Sequence, residues 1–311
     1  MLFTLSNVPA FPLALGGAGL GSDRDTVFFG GPVSEQEAVA TVLWALDNGI
    51  NLIDTSPFYG SSEKRVGIAI KAFGKRESFI LSTKVGTHPL HKGYTAEIFR
   101  RSIESSLKTL QTDHLDIVHI HDPSENDLET ALGKNGGIET LLRLKEQGVI
   151  RYIGLGVRHH HLHQRFIASG FADVILPYLD HNLLRQTCNT LLKKAAEKNI
   201  PVMMGSPLCM GLLSGKDPRT VLNKHFDVTG EVSLEKAVSM YDWCMAKKLD
   251  VKKLNFQFIR TNKAVTAIVA GATSVSECKE NLGAFHDPYP PTVLDEFVTH
   301  FNLKRSTEVL S

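Results

Sequence analysis

Four side chains of different chemistry stand at or just beyond the ends of short apolar runs. Asp54 closes Asn51–Ser56 (NLIDTS), and Tyr59 follows it in the loop SPFYG. Lys84 lies near the end of Phe79–Val85 (FILSTKV), and His121 near the end of Leu115–Asp122 (LDIVHIHD). A phenol that titrates near 10 is a poor acid–base group at neutral pH. An ammonium beside it favours the phenolate and lowers that value. A carboxylate keeps the ammonium charged and oriented, and an imidazole can hold a substrate oxygen. Such a set moves a proton to or from a carbinol or carbonyl oxygen. That is half of a hydride transfer, and a nicotinamide cofactor supplies the other half. Each residue alone has a plainer reading: Asp54 caps a helix, Lys84 joins a structural ion pair, Tyr59 packs at a rim, His119 and His121 are core histidines. The combination is what points to chemistry.

The four can meet only if their runs are neighbouring strands. Eight β-branched runs alternate with helix-period segments: Leu13–Gly17, Asn51–Ser56, Phe79–Val85, Leu115–Asp122, Arg151–Val157, Asp173–Leu179, Pro201–Leu208 and Ala264–Gly271. Ser34 with Glu37 has capping-box spacing, and Gly49 fits the end of the helix that follows. Ile98, Ile103, Leu107 and Leu110 share one helix face after Thr95, and Leu141, Leu144 and Val149 another. Later helices are expected over Leu184–Lys198, Ser233–Lys247 and Val251–Thr261. Strands apolar on both faces and separated by helices imply a parallel sheet. Eight such units give an α/β fold of the (β/α)8 TIM-barrel type, read as a single domain over residues 1–311. A doubly wound sheet would carry GxGxxG after its first strand, and Gly17-Ala18-Gly19-Leu20-Gly21 misses that spacing. The polar stretch Ser214–Thr229 is expected to form a flap after the seventh strand.

Composition excludes other classes. The chain has 311 residues, with Lys+Arg 34 against Asp+Glu 33 and a formal net charge of +1. No basic excess favours nucleic acid. No apolar run approaches the roughly 20 residues of a membrane helix, and the N-terminus lacks a signal-peptide pattern. Four scattered cysteines, without a CxxC pair, argue against a disulfide scaffold or a zinc ribbon. The expected setting is reduced and cytoplasmic. The expected partner is a small molecule, not nucleic acid or a membrane, and the expected state is a monomer or weak homodimer.

These motifs, in this order, resemble the aldo-keto reductases. Asn51–Gly60 with Ser62-Glu63 and Gly67, Ser82-Thr83-Lys84, and Leu115–Asp122 are similar to the family's aspartate–tyrosine, lysine and histidine segments. Ser206-Pro207-Leu208 with Gly211-Leu212-Leu213 resembles its pyrophosphate-side loop. Gly271-Ala272-Thr273-Ser274 with Glu280-Asn281-Leu282 resembles its adenosine-side loop. The resemblance implies NAD(P)-dependent carbonyl or sugar chemistry. In it Tyr59 is the general acid–base, Lys84 tunes it, Asp54 supports Lys84, and His121 orients substrate. It implies cofactor contacts at Tyr178, Ser206, Leu208, Gly211, Leu212, Gly271, Ala272, Thr273, Ser274, Glu277 and Asn281. Substrate contacts are expected at Phe58, Asp122 and His181, and no metal is expected.

Departures from the family pattern narrow the reading. Gly156-Val157 replace the usual Ser-Asn that holds the carboxamide. Met204-Gly205-Ser206-Pro207 lacks the usual stacking tyrosine, a role left to Tyr178 or His181. Glu277 stands where NADP-preferring members carry basic residues; a carboxylate repels a 2′-phosphate and accepts from a 2′-hydroxyl, so NAD is the expected cofactor. The resemblance is greatest to aldose 1-dehydrogenases of the L-galactose or D-arabinose type, which oxidise the anomeric carbon to a lactone. The alternatives are an NADPH-dependent aldehyde or pyridoxal reductase, a metal-dependent barrel hydrolase using His119-x-His121, and a non-catalytic cofactor-binding regulatory subunit. His159 and His163 share a helical face, read as a solvent-exposed helix start.

Overall fold

A computed structural model describes residues 4–5, 8–23, 31–221 and 233–304. All eight expected strands are present: β1 (Leu13–Gly16), β2 (Leu52–Asp54), β3 (Ile80–Val85), β4 (Leu115–His121), β5 (Ile150–Gly156), β6 (Val174–Leu176), β7 (Val202–Gly205) and β8 (Val265–Gly271). They pair in chain order, parallel throughout, and β8 closes on β1. Two short hairpins lie outside the barrel: Thr4–Leu5 with Val8–Pro9, and Thr87–His88 with His91–Lys92 just beyond β3.

Side-chain alternation sorts each strand into two faces. Ala14, Leu52, Ile80, Ile117, Val174, Leu176, Met203, Ala267 and Val269 form one apolar cluster that fills the barrel. Leu15, Ile53, Leu81, Val118, Ile120, Ile153, Leu155 and Ile268 belong to a larger cluster shared with the surrounding helices. The inward face then continues, two or four residues on, to Gly16, Asp54, Lys84, His121, Tyr178 and Gly271. Strand ends therefore carry polar and small residues over an apolar plug, the arrangement that puts barrel active sites at this end.

Eleven helices are described: α1 (Glu35–Asp47), α2 (Ser62–Phe73), α3 (Ala96–Leu110), α4 (Glu125–Leu132), α5 (Gly137–Glu146), α6 (His160–Ala168), α7 (Asn189–Glu197), α8 (Leu234–Ala246), α9 (Val251–Arg260), α10 (Val275–His286) and α11 (Pro291–His300). None of them is long and apolar enough to cross a membrane. The expected helix over Leu184–Lys198 begins only at Asn189. Before it, Asn182 Oδ1 accepts from the backbone of Leu184 and Arg185, and Asp180 Oδ1 from Thr187 N. These side-chain acceptors hold the segment in turns and out of helix. Half of the expected capping box forms at α1. Ser34 accepts from Glu37 N, but Glu37 Oε1 accepts from Val275 N at 2.9 Å, tying α1 to the start of α10. Of the expected flap, Ser214–Val221 holds a short 3-10 turn at Pro218–Thr220, while 222–229 lie outside the described residues.

Candidate active site

Strand register brings the quartet together. Asp54 of β2 pairs with Ser82 of β3, and Lys84 of β3 with His119 of β4. Lys84 Nζ lies 2.6 Å from Asp54 Oδ2 and donates to Thr55 O at 2.8 Å. The second carboxylate oxygen of Asp54 accepts from Ser82 Oγ at 2.7 Å. Both charged side chains are buried, so the pair is held with few alternatives in solvent.

Tyr59 sits on the loop between β2 and α2. Its ring centroid lies 4.9 Å from Lys84 Nζ. The loop is pinned by Tyr59 N donating to Ser56 O and Ser62 N donating to Tyr59 O. Ser62 Oγ in turn donates to Gly17 O at 2.8 Å. Gly21 makes the approach possible: a Cβ there would fall 1.6 Å from Tyr59 O. The phenol departs from expectation in one respect. Packing around it, and then the carboxylates of Asp54 and Asp122, push its pKa well up, where Lys84 had been expected to bring it down. The ammonium is shared with Asp54, and desolvation of a would-be phenolate outweighs it.

His121 stands perpendicular to Tyr59, ring centroids 5.8 Å apart. Burial, then Lys84, hold its pKa well down, so the ring is neutral. Its Nδ1 is 2.6 Å from Thr87 Oγ1 and its Nε2 is 3.4 Å from Asp122 Oδ2. An Nε2–H tautomer satisfies both neighbours, with Thr87 donating to Nδ1. Tyr94 fixes the backbone by donating its hydroxyl to His121 O at 2.7 Å. Phe58, half exposed, leans over the same two rings.

A cleft of about 860 Å3 runs from this quartet across the strand ends. Its floor is made of glycines, Gly16, Gly156, Gly205 and Gly271. At Gly156 the nearest atom to an added Cβ is 3.7 Å away, and at Gly271 it is 3.9 Å away, so side chains there would project into open cleft. At Gly205 a Cβ would meet Tyr178 Cβ at 2.9 Å. Tyr178 of the neighbouring strand thus takes the room that a residue at Gly205 would need. The far end is polar and carries Lys216, Lys252, Glu277, Glu280 and Asn281. A floor rich in glycine, with Lys216 and Lys252 at its far end, fits a dinucleotide with its pyrophosphate toward the lysines.

Most of the expected contact residues line this cleft: Phe58, Asp122, Tyr178, Ser206, Leu208, Gly211, Gly271, Ala272, Thr273, Glu277 and Asn281. Three do not. His181 is fully buried and packs on Phe258 at 5.5 Å, its backbone turned away in the left-handed region at φ 49°. Leu212 is buried in the apolar cluster beneath α8 and α9. Ser274 is spent as the N-cap of α10, accepting from Glu277 N. Glu277 itself is engaged: Oε2 accepts from Thr273 N and Oγ1, and Oε1 lies 3.2 Å from Lys216 Nζ. Lys216, Lys252 and Thr87 escaped sequence reasoning because they lie on loop, helix-start and two-residue hairpin positions with no periodic signal.

The histidine cluster is not a uniform exposed helix start. His163 is buried with Nε2 on Val157 O at 2.7 Å, and His160 faces the buried Asp180 at 3.2 Å. No group of three metal-ligating side chains occurs among the described residues. A second, shallower groove of about 530 Å3 lies between the last turns of α2 and α3. Its Arg76 is already committed to Asp116.

Comparison with known proteins agrees with this architecture. Residues 12–300 match the description of the aldo/keto reductase family. L-galactose dehydrogenase of Arabidopsis thaliana is 35% identical, covering 82% of this chain and 79% of the relative. D-threo-aldose 1-dehydrogenase of Pseudomonas sp is 25% identical over 80% of this chain and 83% of its own. The holo form of aldo-keto reductase AKR11C1 from Bacillus halodurans superposes with a TM-score of 0.75 at 22% identity, covering 100% of this chain and 97% of that one. A polar quartet at the strand ends, a closed eight-strand barrel and a family match along nearly the whole length make this chain an oxidoreductase that belongs to the aldo/keto reductase family.

Proposed function

We propose that the chain is an NAD-dependent aldose 1-dehydrogenase that oxidises the anomeric hydroxyl of a sugar of the L-galactose or D-arabinose type to the lactone. The observation that carries this reading is the placement of Lys84 Nζ between Asp54 Oδ2 and the Tyr59 ring, at the head of a cleft floored by glycine. The 35% identity to an L-galactose dehydrogenase supports the substrate class. When bound, the nicotinamide supplies the hydride acceptor at the sugar's C1. Gly156, Gly205 and Tyr178 would hold the nicotinamide end, the backbone around Ser206–Gly211 with Lys216 and Lys252 the phosphates, and Gly271–Thr273 the adenosine end.

The chain's own residues handle the proton. His121, neutral and with Nε2–H directed to the mouth, orients the sugar oxygen. Tyr59 accepts the hydroxyl proton as its phenolate, which the Lys84 ammonium stabilises. Asp54 holds that ammonium in place at 2.6 Å. Phe58 offers an apolar face to the C–H side of the ring. Glu277 favours a ribose 2′-hydroxyl over a 2′-phosphate, although its pairing with Lys216 softens the rejection.

A second reading, carbonyl reduction, has one observation in its favour: surroundings that keep Tyr59 protonated suit a proton donor. A panel of L-galactose, D-arabinose, L-fucose and short aldehydes, run in both directions with NAD and NADP and followed at the nicotinamide absorbance, decides between them. Oxidation of an aldose with kcat/KM above that of any aldehyde reduction supports the proposal. Aldehyde reduction with NADPH dominating across the panel overturns it.

A further inference from the structure

We propose that Asp122 is the proton exit of this site, carrying the hydrogen ion released by the substrate from Tyr59 to solvent across the mouth of the cleft that both residues line. The proposal rests on the dehydrogenase reading above and adds a residue that acts through the others. A proton must leave the site in every oxidation. The O–H bond of the substrate breaks and its proton reaches Tyr59, while the electron pair of the C–H bond goes to the dinucleotide as described above. Tyr59 must then lose that proton before the next turnover. Lys84 cannot take it, because its ammonium already donates to Asp54 and Thr55 O. Asp54 is sealed beneath it, its side chain only 5% exposed.

Asp122 is placed differently. One oxygen lies 3.4 Å from His121 Nε2, and the other accepts from Tyr178 OH at 3.0 Å. Its side chain is 39% exposed, against 6% for His121, so within this group it is the carboxylate that reaches water. The contact is built by an unusual backbone. Asp122 has φ 42°, a left-handed conformation at the end of β4, and its N–H donates to Gly156 O at 2.9 Å. Non-glycine residues held there cost free energy and cluster at functional sites. The turn swings the side chain back over the mouth, beside the imidazole.

The groups that face Asp122 come from each neighbouring element. They are Lys84 from β3, His121 on its own strand, Arg158 and His159 after β5, Tyr178 after β6, and Tyr59 after β2. Burial raises the Asp122 carboxyl above its ordinary range, ahead of the opposing hydrogen bond and cations. A carboxylate so biased takes a proton readily and yields it to the water that its partly exposed side chain reaches. The route balances: the sugar hydroxyl's proton goes to the Tyr59 phenolate, from Tyr59 to the Asp122 carboxylate and from Asp122 to bulk water, while His121 keeps its Nε2–H throughout.

Asp122→Asn keeps the acceptor for Tyr178 and tolerates the left-handed backbone, but cannot carry a proton. Wild-type turnover of an aldose is established first; without it the dehydrogenase reading fails, and this proposal with it. Given turnover, the variant should lose about tenfold or more in steady-state kcat, with sugar KM little changed. The rate of a single turnover should be far less affected. Added imidazole or formate, acting as a diffusible proton carrier, should restore kcat in the variant and leave wild type unmoved. A variant with raised KM and unchanged kcat makes Asp122 a sugar contact and overturns the proposal. So does a lost kcat that no small base rescues at any concentration, or a wild-type pH profile in the variant.

Discussion

At the residue scale the site is an argument about one phenol. Tyr59 has a cation against its ring and a neutral imidazole across from it, yet packing and two carboxylates hold its proton on. Two expectations follow. Tyr59→Phe should lose about 10²- to 10⁴-fold in kcat while cofactor affinity, measured by fluorescence titration, stays within a few-fold; comparable turnover in the variant would exclude the phenol as the acid–base group. The raised phenol also sets a direction with pH. Oxidation needs the phenolate, which becomes more populated as pH rises, so oxidative kcat should climb steadily from pH 6 to 9. Reduction should fall over the same range. The quartet was legible because its members end successive strands. The sign of the shift on Tyr59 was not, since a sequence names the charged neighbour but does not count the solvent lost around the hydroxyl. His181 misled for a similar reason: its position after β6 is at the mouth, but its left-handed backbone turns the ring into the core.

At the scale of elements, the eight strands could be read because apolar residues on both faces leave few other structures. Boundaries and short helices were less visible. Helix α4 spans only Glu125–Leu132 and is polar over most of its length, held by a Ser124–Asp127 capping box and too short for a periodic signal. The start of α7 was obscured because Leu183 and Leu184 continue the apolar pattern while Asn182 Oδ1 captures the N–H groups of Leu184 and Arg185. The opposite end of the barrel holds a device that sequence pattern did not suggest. Asp116 on β4 is fully buried and outward-facing, bridging Arg76 at 2.8 Å and Arg151 at 2.7 Å while accepting from Leu81 N. It ties three consecutive strands to the turn before β3. Removing one partner leaves two cations and a backbone N–H without their acceptor. Asp116→Ala should therefore cost about 3–5 kcal/mol of unfolding free energy in urea titration, with kcat near wild type in the folded fraction. A loss below 1 kcal/mol would mean that solvent already screens the cluster.

At the scale of the whole molecule, the barrel holds several histidines whose burial disfavours their charged form. His119 is fully buried inside β3–β5, its ring lying over Gly154, where a Cβ would come within 2.2 Å of Nδ1. Burial, ahead of any charge, holds His119 and His121 well below their ordinary value. It also brings His181 down to about 4 and His163 to about 3. In each case the folded pKa lies under the unfolded one, so the unfolded chain binds the proton first. The stability these residues permit is complete above about pH 6.5 and is lost as pH falls toward the folded values. Each histidine steepens the fall by about 1.4 kcal/mol per pH unit. Glu63 works the other way. Burial pushes it up to about 7, so the folded state binds its proton first and gains stability as pH drops from that value, offsetting one histidine. Three uncompensated histidines give a slope of about 4 kcal/mol per unit between pH 6 and 5. Against a typical total of roughly 5–15 kcal/mol, that single unit removes about a quarter or more of the stability, so urea midpoints should fall steeply between pH 6 and 5, before most carboxylates titrate. His119→Leu removes one such group from an apolar interior without reopening the strand, so its urea-derived stability should fall less steeply, by about 1.4 kcal/mol over that unit. Equal slopes in wild type and variant would show that His119 finds a proton or a partner in the folded barrel.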